Sequence, residues 1–279
     1  MVALTRRLGI GPLGQAIGGA AFGMSGYLVA RAGFLSINAA SAWLPWIFLA
    51  TEALSEEGAG PGEWKRAGRR MLALAAALSL QWLCGHAQLA WYTLLGAAAW
   101  LLWRAVSAAS WRARGSMIGG FGAACLLAGA VAAAQLMPTL EYLSVSQRAG
   151  ALERDFALSY SFWPWRLTGL LAPGLFGTPA RGTYWGYGNF WEDAIYIGAL
   201  PILLALTQLI AGMRRRERMA GVSRWLLGLC LVGALFALGI HTPIFPWLYE
   251  HIPTFASGAR SYFYDHVLGL NVHAYCRFI

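Results

Sequence analysis

MLALAAALSLQWLCGHAQLAWYTLLGAAAWLLW, residues 71–103, is the stretch that decides the fold class. It is 33 residues long and contains no Asp, Glu, Lys or Arg. One membrane span needs only ~20 apolar residues, so this run is too long for one ordinary span and about right for two short ones. Its only polar interruption is Cys84-Gly85-His86-Ala87-Gln88, and the spacing predicts a helical hairpin that turns there. The flanks agree. Lys65, Arg66, Arg69 and Arg70 precede the run and Arg104, Arg112 and Arg114 follow it, which returns the chain to the side it left.

Working outward, further apolar runs predict spans over 13–30, from the polar break at Arg31–Asn38 to Leu54, and over 115–137, 194–212 and 225–239. Pro45 interrupts the second of these and predicts a kink or a re-entrant segment. Arg6 and Arg7 ahead of the first run raise a signal peptide, but the run shows no convincing cleavage site and reads as a span. Residues 55–70 read as a loop. With segments 1–12, 55–70, 104–114 and 213–224 placed inside, 14 Lys and Arg lie in the cytoplasm and 7 outside. The expectation is an all-α, polytopic integral protein of the cell membrane. It has about seven transmembrane helices, a cytoplasmic N-terminus and a large external loop.

Composition excludes the main alternatives. Hydrophobic residues make up 58% of the chain, charged residues 12%, and mean hydropathy is +0.52. Soluble domains carry about 25% charged residues. The net charge of +9 sits in short clusters between apolar runs, a topology signal rather than a nucleic-acid surface. Cys84, Cys125, Cys230 and Cys276 form no CxxC pair, and scattered histidines give no metal-ligand spacing. No cofactor is implied by the motifs.

The organisation follows as helices over 1–137, an external aromatic-rich cap over 138–193, two further helices over 194–240 and an external tail over 241–279. The stretch 135–193 holds Glu141, Glu153, Asp155, Glu192 and Asp193, five of the chain's 12 acids, among many Trp and Tyr. The topology brings His86 and Gln88, Glu141, Glu192-Asp193 and His241 to one membrane face, where costly ionisable groups mark sites. Each has a structural alternative. His86 can cap the hairpin, Glu192-Asp193 suits a helix start, and Glu141 can pair with Arg148.

Four blocks, FGMSGYLVAR…INAASAWLPWIFLATEAL (22–54), GHAQLAWYTLL (85–95), AAQLMPTLEYLSVSQR (133–148) and FWPWRLTGLLAPGLFG…YWGYGNFWEDAIYIGALPILLAL (162–206), resemble the YfhO-like bacterial membrane proteins. HTPIFPWLYEHIPTF (241–255) resembles a fifth. That family belongs to the GT-C class of polytopic glycosyltransferases that use lipid-linked sugars. The resemblance implies transfer of a sugar from a polyprenyl-phosphate donor to a cell-envelope acceptor at the outer membrane face, with membrane lipid as a further partner. It implies substrate contacts at His86, Gln88, Glu141, Arg148, Arg166, Trp185, Tyr187 and Glu192. Guanidinium suits phosphate, and the flat faces of Trp163, Trp165, Trp185 and Tyr187 suit sugar rings. Candidate catalytic carboxylates are Glu141, Asp155, Glu192 and Asp193, with a divalent metal as an open requirement.

The chain departs from the family at both ends. The resemblance implies helices and an acidic external loop ahead of the position that is residue 1 here, and residues after Phe255 do not follow the family pattern. The expectation is an internal or truncated fragment without its catalytic base. Two other classes stay open: a transporter or flippase of a lipid-linked or polar solute, and a non-catalytic assembly protein.

Overall fold

The computed structural model describes residues 1–56, 62–145, 158, 161–186, 189–214 and 218–251. Among these residues the chain forms α-helices and short 3-10 turns and no strand. It divides into two compact units, Met1–Gln15 with Phe34–Glu141, and Ala16–Gly33 with Tyr142–Ile279.

In the first unit α1 (Val2–Arg7) packs on α4 (Leu35–Leu54), and α4 packs on α5 (Glu63–Leu83) and α6 (Ala87–Val106). The long α7 (Trp111–Val145) completes the set. Ile47, Leu74 and Leu78 are fully buried, and so are Ala124, Ala128 and Ala132 of α7. Those three alanines recur every fourth residue and form one stripe of small side chains. A stripe of this kind lets neighbouring backbones come close, the chief route to helix association where lipid tails remove the hydrophobic drive.

Helix α4 carries a proline in its interior. Pro45 has no N–H for the Ser41 carbonyl, which loosens the ladder around it. Gln81 of α5 donates through Nε2 to the Ala40 carbonyl at 3.0 Å and to Thr93 Oγ1 of α6 at 3.0 Å. Thr93 spends its own proton on the Leu89 carbonyl, so both groups before Gln81 Nε2 are acceptors and the amide orientation is fixed. One buried amide thereby ties three helices a turn before Pro45.

The hairpin predicted in the 71–103 run is present. Helix α5 ends at Leu83, Gly85 takes the left-handed conformation at φ 75°, and α6 begins at Ala87. Two expectations are corrected. Residues 63–70 are the first turns of α5 rather than loop, because Glu63 at its start pairs with Arg66 and Arg70 one and two turns on. The 13–30 run is not one helix. It divides into α2 (Pro12–Gly23) and α3 (Gly26–Ala30), and Ser25 caps the second by accepting from Leu28 N.

Helix α7 also passes the expected end at Pro138. The carbonyl deprived of its donor there belongs to Ala134, which is exposed, so the helix tolerates the proline. Among the described residues two helices are long and apolar enough to cross a membrane, α6 and the Trp111–Tyr142 part of α7.

The second unit contains α3, a 3-10 turn at Pro164–Leu170, another at Pro179–Arg181, α8 (Phe190–Asp193), α9 (Ala199–Arg214), α10 (Arg218–Ala237), a 3-10 turn at Gly239–His241 and α11 (Ile244–His251). Helices α9 and α10 pack on each other, and the cap segment is pinned to the end of α10. Phe162 N donates to the Ala237 carbonyl at 2.7 Å, and Ile240 N donates to Ser161 Oγ at 2.9 Å. Apolar stretches 199–210 and 221–237 are shorter than an ordinary span.

Candidate functional site

Among the described residues of the second unit a buried polar cluster is built on α8, the four-residue FWED helix. Its last residue, Asp193, is buried and forms an ion pair with Arg166, which the Pro164–Leu170 turn presents from the other side. Each side chain is only 3% exposed. Tyr184 donates its hydroxyl to Asp193 Oδ2 at 2.7 Å. The guanidinium of Arg166 also lies over the Phe162 ring, 5.6 Å from its centre. Both carboxylate oxygens are therefore engaged, one by a cation and one by a phenol, and water is excluded. Gly186 closes the cluster. A Cβ there would collide with the Asp193 carboxylate and the Tyr184 hydroxyl.

The Tyr184 phenol is pushed up to about 12, first by burial and then by its hydrogen bond to Asp193 and the charge of that carboxylate. It stays a donor throughout the physiological range. Asp193, buried behind Arg166 and Tyr184, is out of a substrate's reach unless one of them moves away.

A second pair flanks the first. Arg31, at the end of α3, donates to the Trp191 carbonyl at 2.8 Å and lies 3.6 Å from Glu192 Oε2. Its guanidinium stacks over Tyr27 at 4.2 Å. Gly26 N donates to the Tyr196 carbonyl at 2.7 Å, and Gly26 lies so close to the 194–196 backbone that a side chain there would strike the Ala194 carbonyl. The two acids of the FWED helix point to different bases, Glu192 to Arg31 and Asp193 to Arg166.

Exposed rings border this cluster. Trp165 and Trp185 lie nearly parallel with centres 6.3 Å apart, and Phe176 packs edge-on to both. Trp163 packs on His241 at 4.3 Å.

The remaining sequence candidates fall as follows. His86, Gln88 and Glu141 belong to the first unit, and Arg166, Trp185, Glu192 and Asp193 to the second. His86 serves as the cap of α6, its Nδ1 accepting from Leu89 N at 3.1 Å. Gln88 is exposed and donates to Tyr92 OH at 3.0 Å. Glu141 is exposed on the last turns of α7. Arg148, Asp155 and Tyr187 lie outside the described residues. Among the described residues no group of three His, Cys, Asp or Glu is placed to hold a metal ion.

The sequence reading did not single out Arg31 or Tyr184. Nor did it single out Glu52, which is 2% exposed and engaged by Arg104 and by Trp100 Nε1 at 2.8 Å. Comparison with family models, curated proteins and solved structures gives no match. The family resemblance therefore stands on its sequence blocks.

Proposed function

We propose that the chain is part of a seven-span, YfhO-like membrane protein of the GT-C type. In this reading it handles a polyprenyl-phosphate-linked sugar at the outer face and passes it to a cell-envelope acceptor. What supports the reading is how the blocks that carry the resemblance meet. Arg31 and Gly26 of the 22–54 block bind the Trp191, Glu192 and Tyr196 region of the 162–206 block, and Arg166 and Asp193 bind within the latter. The residues that mark the family are those that hold the cap together.

In this reading the paired acids are framework. Arg166 and Asp193 fix the cap's shape, Tyr184 locks the carboxylate, and the exposed Trp165 and Trp185 faces receive the sugar ring. Proton abstraction falls to a carboxylate other than the buried Asp193, because a base must lie within hydrogen-bond reach of the acceptor hydroxyl.

A transporter is the second reading, favoured by the interruption between α2 and α3 in what reads as one span. Broken helices near a substrate site are a transporter device. Two measurements separate these readings. Native mass spectrometry of the detergent-purified chain should show retention of a polyprenyl-phosphate sugar over free polyprenyl phosphate, and loss of that preference in Trp185→Ala. Movement of the lipid-linked sugar between leaflets of proteoliposomes would favour transport, and failure to bind either lipid would sink both. The seven-span topology requires cysteines at Ser144 and Thr183, but not Ser223, to react with an impermeant thiol reagent in intact cells.

A further inference from the structure

Residues 161–186 have a polarity inverted relative to a segment that stands in water. Their buried charge, Arg166, is turned inward to Asp193. Trp163, Trp165, Leu167, Leu171, Leu175 and Trp185 are turned outward, with Leu171 79% and Trp185 63% exposed. Single exposed apolar residues are ordinary on any protein. Six in one short segment, with Trp165 and Trp185 joined through the Phe176 contact, form a patch that needs a cover.

Much of the backbone of the patch is already hydrogen-bonded. Trp185 donates its indole N–H to the Leu175 carbonyl at 2.9 Å, and Thr168 Oγ1 donates to the Trp165 carbonyl at 2.7 Å. Along the backbone, Arg166 N donates to the Trp163 carbonyl, Leu171 N and Ala172 N to the Thr168 carbonyl, and Leu175 N to the Ala172 carbonyl. A surface whose backbone is hydrogen-bonded and whose outward side chains are Trp and Leu suits the headgroup–acyl boundary, where an indole N–H keeps access to headgroup acceptors. Its charge is complementary to a lipid headgroup. Arg181, exposed on the next 3-10 turn, has no ion-pair partner among the described residues and offers a cation to phosphate.

We propose that Trp163, Leu167, Leu171 and Leu175 form a lipid-binding surface seated in the headgroup–acyl boundary of the outer leaflet, with Arg181 at the phosphate level and the Trp165–Trp185 faces at its rim, open to the lipid-linked sugar. This inference rests on the membrane reading above. The chain reaches the patch from the apolar α7 and leaves it through the apolar α9. Trp and Leu entering by ~5–10 Å are the usual anchors of such a seat. The occupant is bilayer lipid, and the consequence is that a lipid-linked substrate meets the cap at the membrane surface.

The test uses the full 279-residue chain with its native cysteines replaced by serine, reconstituted in phosphatidylethanolamine–phosphatidylglycerol vesicles. An environment-sensitive fluorophore is placed singly at L167C, L171C, L126C on α7 and K65C. Equal thermal unfolding of the labelled variants establishes that each is folded. The expected result is quenching of the 167 and 171 labels by lipid-borne nitroxide comparable to that at 126, and loss of the iodide quenching seen at 65. Iodide quenching at 171 with lipid quenching at 126 overturns the inference and leaves the membrane reading standing. Protection of 171 from both quenchers overturns it in favour of a protein cover. Iodide access at 126 overturns the membrane reading itself.

Discussion

Arg166 and Asp193 meet as an ion pair in the interior of the second unit, each side chain almost wholly removed from solvent. Such a pair gains little over an apolar contact, because desolvation of both charges offsets their attraction. Breaking it is another matter, since one charge is then buried alone. Asp193→Ala and Arg166→Ala should each destabilise the second unit by ~3–5 kcal/mol, read as a large drop in the thermal unfolding midpoint in detergent. The double variant Arg166→Met with Asp193→Leu should lose less than either single change. A double variant that loses the sum of the two would mean that the side chains do not depend on each other.

Tyr184 gives the cluster a pH signature. Its folded-state value lies near 12 against an ordinary 10, so the folded protein holds the phenolic proton more tightly than the unfolded chain does. The stabilisation is fully present below pH 10 and is lost as pH rises from 10 to 12. The stability difference between wild type and Tyr184→Phe should therefore be flat through neutral pH and shrink across that alkaline window. A difference titration of tyrosinate absorbance between the two proteins should place the missing phenol near 12. A phenol that titrates with the bulk of the tyrosines would show that the hydroxyl is not held by Asp193.

The elements that could be read from sequence are those coded locally. Gly85-His86 inside an uncharged run gave away the hairpin, because only a turn explains a polar break there. Pro45 suggested a kink or a re-entrant segment, and α4 runs through it as one helix from Leu35 to Leu54. Residues 63–70 were misread since loop and helix start share a polar composition, and their Glu63–Arg66–Arg70 spacing was the overlooked helical signal. The break at Met24 was masked by a run of glycine and alanine, although Ser25 is a residue that caps helices. The pairs Arg31–Glu192 and Arg166–Asp193 join distant segments, and no periodicity encodes which base meets which acid.

His86 separates capping from ligand binding. Its Nδ1 satisfies the Leu89 N–H at the start of α6, as an Asn side chain can and Ala cannot. His86→Ala should lower stability by ~1 kcal/mol, and His86→Asn should retain most of it. If the Asn variant keeps its unfolding midpoint yet no longer binds a polyprenyl-phosphate sugar, His86 has a ligand role beyond the cap. Full binding by His86→Asn assigns the residue to the hairpin alone.

Glu52 lies near the end of α4, where the sequence suggests a residue about to enter a loop. Instead it is buried and receives Trp100 Nε1 and Arg104 Nε, both at 2.8 Å and both on Oε2, while Oε1 pairs with Arg104 Nη2. The Arg104 guanidinium is sandwiched further by contacts with the Trp100 and Trp103 rings. The carboxylate thus fastens α4 to α6 through two donors one helical turn apart. Glu52→Gln keeps an acceptor for Trp100 but leaves the guanidinium without a counter-charge, and Glu52→Ala removes both. The expected order of stability is wild type, then Gln, then Ala, with the Ala variant lower by ~3–5 kcal/mol because a buried pair has lost one member. Arg104→Ala should fall as far, and Glu52→Leu with Arg104→Met should recover much of the loss. Thermal unfolding in lipid nanodiscs reads all five proteins. An unchanged midpoint in Glu52→Ala would remove the α4–α6 fastening from the account of the first unit, leaving the alanine stripe and the Gln81 contacts to hold it.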